Sequence, residues 1–501
     1  MQNLEKVIEE NRGEALKALG EVVRIRSVAG KPEDTPGGEK APFGNGVQEA
    51  LEYTLKKGEE YGFETKNVDN YGGHIDFGSG SETVGIIGHL DVVPEGNGWS
   101  FDPYSGDTED GYILGRGTTD DKGPVYAALM AMKALKDAGF EPKKRIRLIL
   151  GLDEETNWEG IRHYFNKVDP PDYGFTPDAD FPVLNGEKGI MSFEIAGKFR
   201  RQPQNGLKLK SLSGGTVVNM VPETAKAVIA ADHTIVKNKR IHRRSKTKKI
   251  IDRALYERVR KMAEQYRTAK GVSILTKGVG TSMVITAVGK AAHAARPEKG
   301  KNAVSILFDF LGHLNFASED VNDFIRFYNE KIGYNVNGEQ IGIGFSDEKS
   351  GKLTFNSGLL QSDGEGVSLT VNVRYPVTYT ADQVYEGIMP HLDEYGLGIV
   401  KMENKEPIYM DPDSDLVRTL MNVYRANTGD TDSEPIVIGG GTYARSCPNI
   451  VAYGGLFPGD PDIMHQRDEK LAIERYMQMI GIYAEAIMKL TEMDFSARAE
   501  A

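Results

Sequence analysis

The apolar run Val84-Gly85-Ile86-Ile87-Gly88, followed at once by His89-Leu90-Asp91, constrains this chain more than any other stretch. β-Branched residues without polar alternation make a strand buried on both faces, the kind found in largely parallel sheets. Alternation along the strand sets His89 and Asp91 on one side, where the carboxylate can approach the imidazole from behind and fix its tautomer. That is the pattern of a metal-ligating histidine with its supporting hydrogen bond. A loop rich in Pro and Gly (Pro94, Gly96, Gly98) and a hairpin then lead to Gly115-Arg116-Gly117-Thr118-Thr119-Asp120-Asp121-Lys122-Gly123 and an amphipathic helix. Asp120 is left in a tight turn beside the end of the first strand.

The chain has 501 residues, more than one core usually supports, so at least two domains are expected. No apolar run approaches the roughly 18 residues that a membrane span needs. The start, Met1-Gln2-Asn3-Leu4-Glu5-Lys6, lacks the basic and apolar segments of a signal peptide, and Cys447 is the only cysteine; both predict a reducing, cytoplasmic setting. Sixty-one basic against seventy-three acidic residues, a net charge of −12, oppose general binding to nucleic acid or an anionic membrane.

Periodicity predicts a helix from about Leu4 to Ile25, a loop from Ser27 to Asn45, a helix from about Val47 to Tyr61 and strands at Glu64–Val68 and Gly73–Phe77. The helix after Gly123 buries Val125, Leu129, Met132 and Leu135 and stops at Gly139, a C-cap position. A further strand, Arg145 to Leu152, ends in Asp153-Glu154-Glu155, Asp178 follows in the loop Phe175-Thr176-Pro177-Asp178, and His465 sits in Asp462-Ile463-Met464-His465-Gln466. Alternating strands and helices predict an α/β domain with its site at the carboxyl ends of strands. So many carboxylates at one edge repel unless cations intervene, and mixed imidazole and carboxylate ligands suit zinc, with manganese or cobalt as alternatives. The bland alternative for Glu154-Glu155 is to cap the helix beginning near Trp158. His163, His233, His242, His313 and His391 have no motif around them and read as surface or packing residues.

Several motifs together resemble those of the dinuclear metallopeptidases that include aminoacylases, glutamate carboxypeptidases and bacterial dipeptidases of the peptidase V type. They are Gly88-His89-Leu90-Asp91-Val92-Val93-Pro94, Gly115-Arg116-Gly117 through Gly123, and Glu154-Glu155-Thr156-Asn157-Trp158-Glu159-Gly160. Asn219-Met220-Val221-Pro222, His293 with Pro297 and Asn302-Ala303, Arg374-Tyr375-Pro376 and Gly439-Gly440-Gly441-Thr442 continue the match in the same order. The resemblance implies two divalent metal ions, most simply Zn2+, with Asp120 bridging them, His89 and Asp178 completing one site and Glu155 and His465 the other. It makes Glu154 the general base and Asp91 the partner of His89, and it implies a cis peptide between Asp120 and Asp121. It implies a mixed-sheet α/β catalytic domain in two parts, 1–188 and 403–501, around an inserted α+β lid domain at 189–402 made of a doubled ferredoxin-like unit. In that lid His293 stabilises the oxyanion, Asn219 and Arg374 bind substrate, Arg374 by its C-terminal carboxylate, and the amides of Gly440 and Gly441 assist; for Arg374 the rival is a structural ion pair.

A run of cations, Lys237, Lys239, Arg240, Arg243, Arg244, Lys246, Lys248 and Lys249, has no acid or aromatic within it and reads as a solvated loop ahead of a helix from about Ile250 to Ala269. The leading function is a metal-dependent dipeptidase acting on small peptides. A related N-acyl-amino-acid deacylase or carboxypeptidase, and a catalytically silent metal-binding protein, are the alternatives. The long insertion further predicts a monomer that supplies His293 to its own active site, with a partner's lid in an ordinary dimer as the rival.

Overall fold

A computed structural model describes residues 3–35, 40–200, 206–232 and 241–494. The chain divides into two compact units: Met1–Gly186 with Tyr409–Val437 and Gly441–Ala501, and Glu187–Ile408 with Ile438–Gly440. The second unit is thus one continuous run, Glu187–Ile408, with the short piece Ile438–Gly440 added to it.

The first unit is built on a mixed sheet. Strands β1 (Glu64–Val68), β2 (Gly72–Phe77), β3 (Thr83–His89), β4 (Arg145–Gly151), β5 (Tyr173–Thr176) and β6 (Ile450–Ala452) are arranged β6-β5-β3-β4-β2-β1. β3 runs parallel to both neighbours, β4 and β5, and every one of its residues is buried, as its unbroken apolar run requires. Opposite pairing at β2 makes the sheet mixed. In register, His89 at the end of β3 faces Gly151 at the end of β4. Gly151 has no room for a side chain, because a Cβ there would lie 2.3 Å from the ring of Tyr443.

After β3, the hairpin Thr108–Glu109/Tyr112–Leu114 turns through Asp110-Gly111, both with left-handed φ (49° and 82°), the geometry that favours an Asp-Gly pair between two strands. The following helix, Lys122–Asp137, buries Val125, Leu129, Met132 and Leu135 fully. Its other faces are also enclosed, since Arg12–Val23 and Ile473–Glu492 pack against it. It ends where Gly139 adopts φ 79°, with Gly139 N donating to Lys136 O and Phe140 N to Leu135 O, the pair of bonds that closes a Schellman motif.

The predicted N-terminal helix is two, Leu4–Glu10 and Arg12–Val23, broken at Asn11. Asn11 spends its side chain on tertiary bonds, donating to Asp137 and accepting from Lys133. The predicted basic loop is also corrected. A helix runs over Ile241–Lys270, a stretch without Gly or Pro, so Arg243, Arg244, Lys246, Lys248 and Lys249 are helical; Lys237, Lys239 and Arg240 lie outside the described residues.

The inserted unit is one eight-stranded antiparallel sheet ordered Ser273–Val279, Ser282–Val288, Thr224–Asp232, Gly206–Gly214, Thr354–Ser362, Gly366–Tyr375, Gly189–Lys198, Gly398–Lys405. Its last four strands have the order 2-3-1-4 of a ferredoxin-like unit; its first four, in the order 3-4-2-1, do not repeat that order and are inserted between the first two strands of that unit. Among the described residues, Leu212–Gly214 and Leu360–Ser362 pair across the junction between the halves. Gly189–Lys198 alternates buried and half-buried residues, as a sheet covered on one face does.

Candidate active site

His89 is wholly buried at the end of β3. Its Nδ1 donates to the backbone carbonyl of Asp91 at 2.9 Å, while the Asp91 carboxylate stands farther away, at 3.4 Å. Asp91 thus faces Nδ1 of His89 with its main-chain carbonyl and, farther off, with its carboxylate, the side on which strand alternation placed it. Nε2 of His89 faces Asp120 Oδ1 at 3.1 Å and Asp178 Oδ2 at 3.8 Å, and in the neutral ring, with the proton on Nδ1, it is the nitrogen that carries the lone pair.

Asp120 is at the centre. Its other oxygen, Oδ2, lies 2.8 Å from His465 Nε2, which is also 2.8 Å from Glu155 Oε1. One carboxylate therefore offers one oxygen to each of two imidazoles brought from opposite ends of the chain. The Asp120–Asp121 peptide is cis. Asp121, buried behind it, accepts a bond from His89 N with Oδ2, and its Oδ1 has no hydrogen-bond partner among the described residues.

The Asp91 carboxylate has a second set of contacts. Its two oxygens accept from Glu154 N and Glu155 N, both at 3.1 Å. From the other side the Trp158 indole donates to Glu154 O at 2.7 Å, with Trp158 held at φ 59° and its ring edge-on to Tyr443. The helix Glu159–Phe165 is capped by Asp153, which accepts from Glu159 N and Gly160 N. Glu154 and Glu155 are thereby released from the capping role open to them in the sequence. Trp158, Tyr443, Asp121 and the cap of Asp153 surround the cluster without having been assigned a role from the sequence; Trp158 lay inside the Glu154–Gly160 motif and Asp121 inside the Gly115–Gly123 motif.

The electrostatics of the cluster call for positive charge. Burial and then the Asp178 charge push the Glu154 carboxyl well above its usual range, and burial with Asp120 pushes Asp178 up to about 7. Glu155 is raised by burial and Asp120. Burial disfavours the charged form of His465, yet Asp120 and Glu155 outweigh it and lift its pKa to about 11. Lone pairs of imidazole and carboxylate converge here, and either protons or cations must lie between them. His89, Asp120 and Glu155 place one donor atom each within 4.8 Å of one another, as do His89, Glu154 and Asp178. This donor set fits a divalent metal of the zinc type.

Asn219, His293 and Arg374 gather in the inserted unit. The strand Gly206–Gly214 stops before Asn219, which lies in the turn beyond it. Ala294 N donates to Asn219 O, and Met220 bridges His293, so the two segments run side by side. Ala295 N donates to His293 Nδ1 at 3.3 Å, which places the proton of the neutral ring on Nε2. Buried Asn356 donates to Val218 O and Met220 O, holding the Asn219 turn from both sides. Arg374 is buried on Gly366–Tyr375, pairs with Thr354 in the ladder and donates through Nε to Asn372 Oδ1. Gly440 falls with the inserted unit and Gly441 with the first.

The profile of "Peptidase family M20/M25/M40" matches residues 85–489. "Putative dipeptidase YtjP" of Bacillus subtilis (strain 168) is 36% identical over 98% of this chain and 100% of its own length. The Beta-Ala-Xaa dipeptidase of Lactobacillus delbrueckii subsp. lactis is 34% identical over 98% of both chains. Human carnosine dipeptidase 1 shares the fold, with a TM-score of 0.53 at 17% identity, covering 98% of this chain and 99% of that one. With a profile match over most of its length and relatives above one-third identity from end to end, the chain belongs to peptidase family M20/M25/M40.

Proposed function

We propose that this peptidase is a metal-dependent dipeptidase whose two divalent ions, most simply Zn2+, with Mn2+ or Co2+ as alternatives, are held by His89, Asp120, Glu155, Asp178 and His465. The observation that carries this reading is the single Asp120 carboxylate directed at both His89 and His465. His89 and Asp178 take one side of it, and Glu155 and His465 the other. Ions bound there supply Lewis acidity, lowering the pKa of water and polarising a peptide carbonyl. Glu154 accepts the proton of the attacking water and returns it to the leaving amine. Asp91 orients both His89 and the backbone of Glu154. His293, its proton on Nε2, donates to the oxyanion, Arg374 grips the substrate's C-terminal carboxylate, and Asn219 with the amides of Gly440 and Gly441 binds the substrate backbone. Relatives named as dipeptidases support the dipeptide substrate over the deacylase and carboxypeptidase alternatives.

A substrate panel tests the carboxylate clamp and the substrate class together. Dipeptides should be cleaved, while their C-terminal amides, N-acyl amino acids and longer peptides should be poor substrates. Equal kcat/KM for a dipeptide and its amide would remove Arg374 from the reading.

The working form we propose is a cytoplasmic monomer. Among the described residues no helix is long and apolar enough to cross a membrane, and the lone cysteine, Cys447, is buried. In this reading the inserted unit supplies His293 to its own chain. Mixing inactive Glu154→Gln protein with inactive His293→Ala protein should therefore restore no activity; recovery would show that His293 acts across subunits.

A further inference from the structure

Glu469 is fully buried, yet no step of the reaction above uses it. Its Oε1 accepts three hydrogen bonds from one turn: Gly117 N at 3.0 Å, Thr119 N at 2.9 Å and Thr119 Oγ1 at 2.8 Å. Its Oε2 accepts from Arg116 Nη1 at 2.5 Å, and the Arg116 guanidinium lies 5.1 Å from the centroid of the Trp99 ring. Gly115 N also donates to the Glu469 carbonyl, extending the ladder in which Lys470–Ala472 pairs with Tyr112–Leu114. A buried carboxylate is tolerated only when paired and hydrogen-bonded, and this one is both. The carboxylate fills a nest of donors much as a bound anion would.

Connectivity makes this more than a core ion pair. Thr119 immediately precedes Asp120, and His465 stands four residues before Glu469. The path closes on itself: along the chain from His465 to Glu469, by hydrogen bonds to Thr119, through one peptide to Asp120, and across 2.8 Å back to His465. The His465 side chain is about half exposed, at 52%, so burial does not fix it. The fixed point nearby is the fully buried carboxylate of Glu469.

We infer that Glu469 is a positioning residue, which holds the turn carrying Asp120 and the segment carrying His465 in one register and so sets the affinity of the centre for its metal. This inference rests on the metal reading of Asp120 and His465. A residue that orients metal ligands changes affinity by about 10- to 100-fold when lost, whereas a merely structural residue changes the melting temperature and leaves the affinity of the folded protein alone.

The test is a Co2+ titration of metal-free full-length protein, followed by visible absorption, with circular dichroism reporting the fold. Glu469→Gln keeps the shape and one acceptor oxygen but loses the charge facing Arg116. It should weaken Co2+ binding by about 10- to 100-fold and shift the absorption bands while the protein remains folded. Affinity and spectrum equal to wild type in folded Glu469→Gln would overturn the inference. Should that variant fail to fold, Thr119→Val, which removes only the hydroxyl bond, decides in its place: altered Co2+ bands support the coupling and unchanged bands reject it. Wild-type protein that binds no Co2+ would sink the metal reading itself, an outcome distinct from variants that bind as well as wild type.

Discussion

Glu154→Gln is expected to retain the fold and divalent-metal binding and to lower kcat by about 10²- to 10⁴-fold. The expectation depends on how little structural work the Glu154 side chain performs. Its backbone is held without it, by the Asp91 carboxylate at the amide and by the Trp158 indole at the carbonyl. The neighbouring helix is capped by Asp153. Glutamine has nearly the same shape, and being neutral it replaces a carboxyl whose ionisation burial and the Asp178 charge already oppose. Stability should therefore hold or rise while catalysis falls. A stopped assay under substrate saturation, with metal content measured on the same sample, separates the two effects. A turnover rate near wild type would assign Glu154 to structure.

What the sequence disclosed about this site was local or patterned. The run Val84–Gly88 announced a strand enclosed on both faces, and the strand ends announced His89, Glu154, Glu155 and Asp178, because apolar periodicity and the residues that interrupt it are read within one window. Asp110-Gly111 and Gly139 were legible for the same reason: their left-handed backbone is a property of a few residues. The bonds that organise the site are not local. Asp91 reaches amides 63 and 64 positions away, and Glu469 reaches Thr119 across 350. A carboxylate destined for backbone amides looks in sequence like any other. Strand alternation placed the Asp91 carboxylate beside His89, where it lies at 3.4 Å, but gave no hint of its bonds to the amides of Glu154 and Glu155. The nested order of the inserted sheet was hidden in the same way, since strand neighbours such as Gly189–Lys198 and Gly366–Tyr375 are far apart in the chain. The basic run misled for a different reason: charge suggested solvent, while an uninterrupted set of helix-compatible residues made Ile241–Lys270 a helix.

Dialysis against a strong chelator is expected to abolish peptide hydrolysis, and added Zn2+, Mn2+ or Co2+ to restore it. The argument begins with charge. Asp120, Asp121, Glu154, Glu155 and Asp178 crowd the edge of the first unit's sheet, and the two imidazoles among them can supply at most two positive charges. Without a cation, burial and mutual repulsion raise Glu154, Glu155 and Asp178 toward neutrality, and the same carboxylates drive the His465 pKa up to about 11. The metal-free centre is therefore held together by protons: protonated carboxyls and imidazolium in place of ionised ligands. A protonated Glu154 cannot accept a proton from water, and an imidazolium at His89 or His465 cannot ligate. Activity should thus disappear with the metal even though every side chain remains in place. Binding exchanges those protons for metal, and a ligand that binds only the folded state stabilises it, by about 4 kcal/mol at a thousandfold excess over Kd. Differential scanning calorimetry of chelated and reloaded protein should accordingly show a transition several degrees higher after reloading, with protons released to the buffer on titration. Full activity in strictly metal-free protein, or reloading without proton release, would show that the carboxylates and imidazoles at this edge serve some other chemistry.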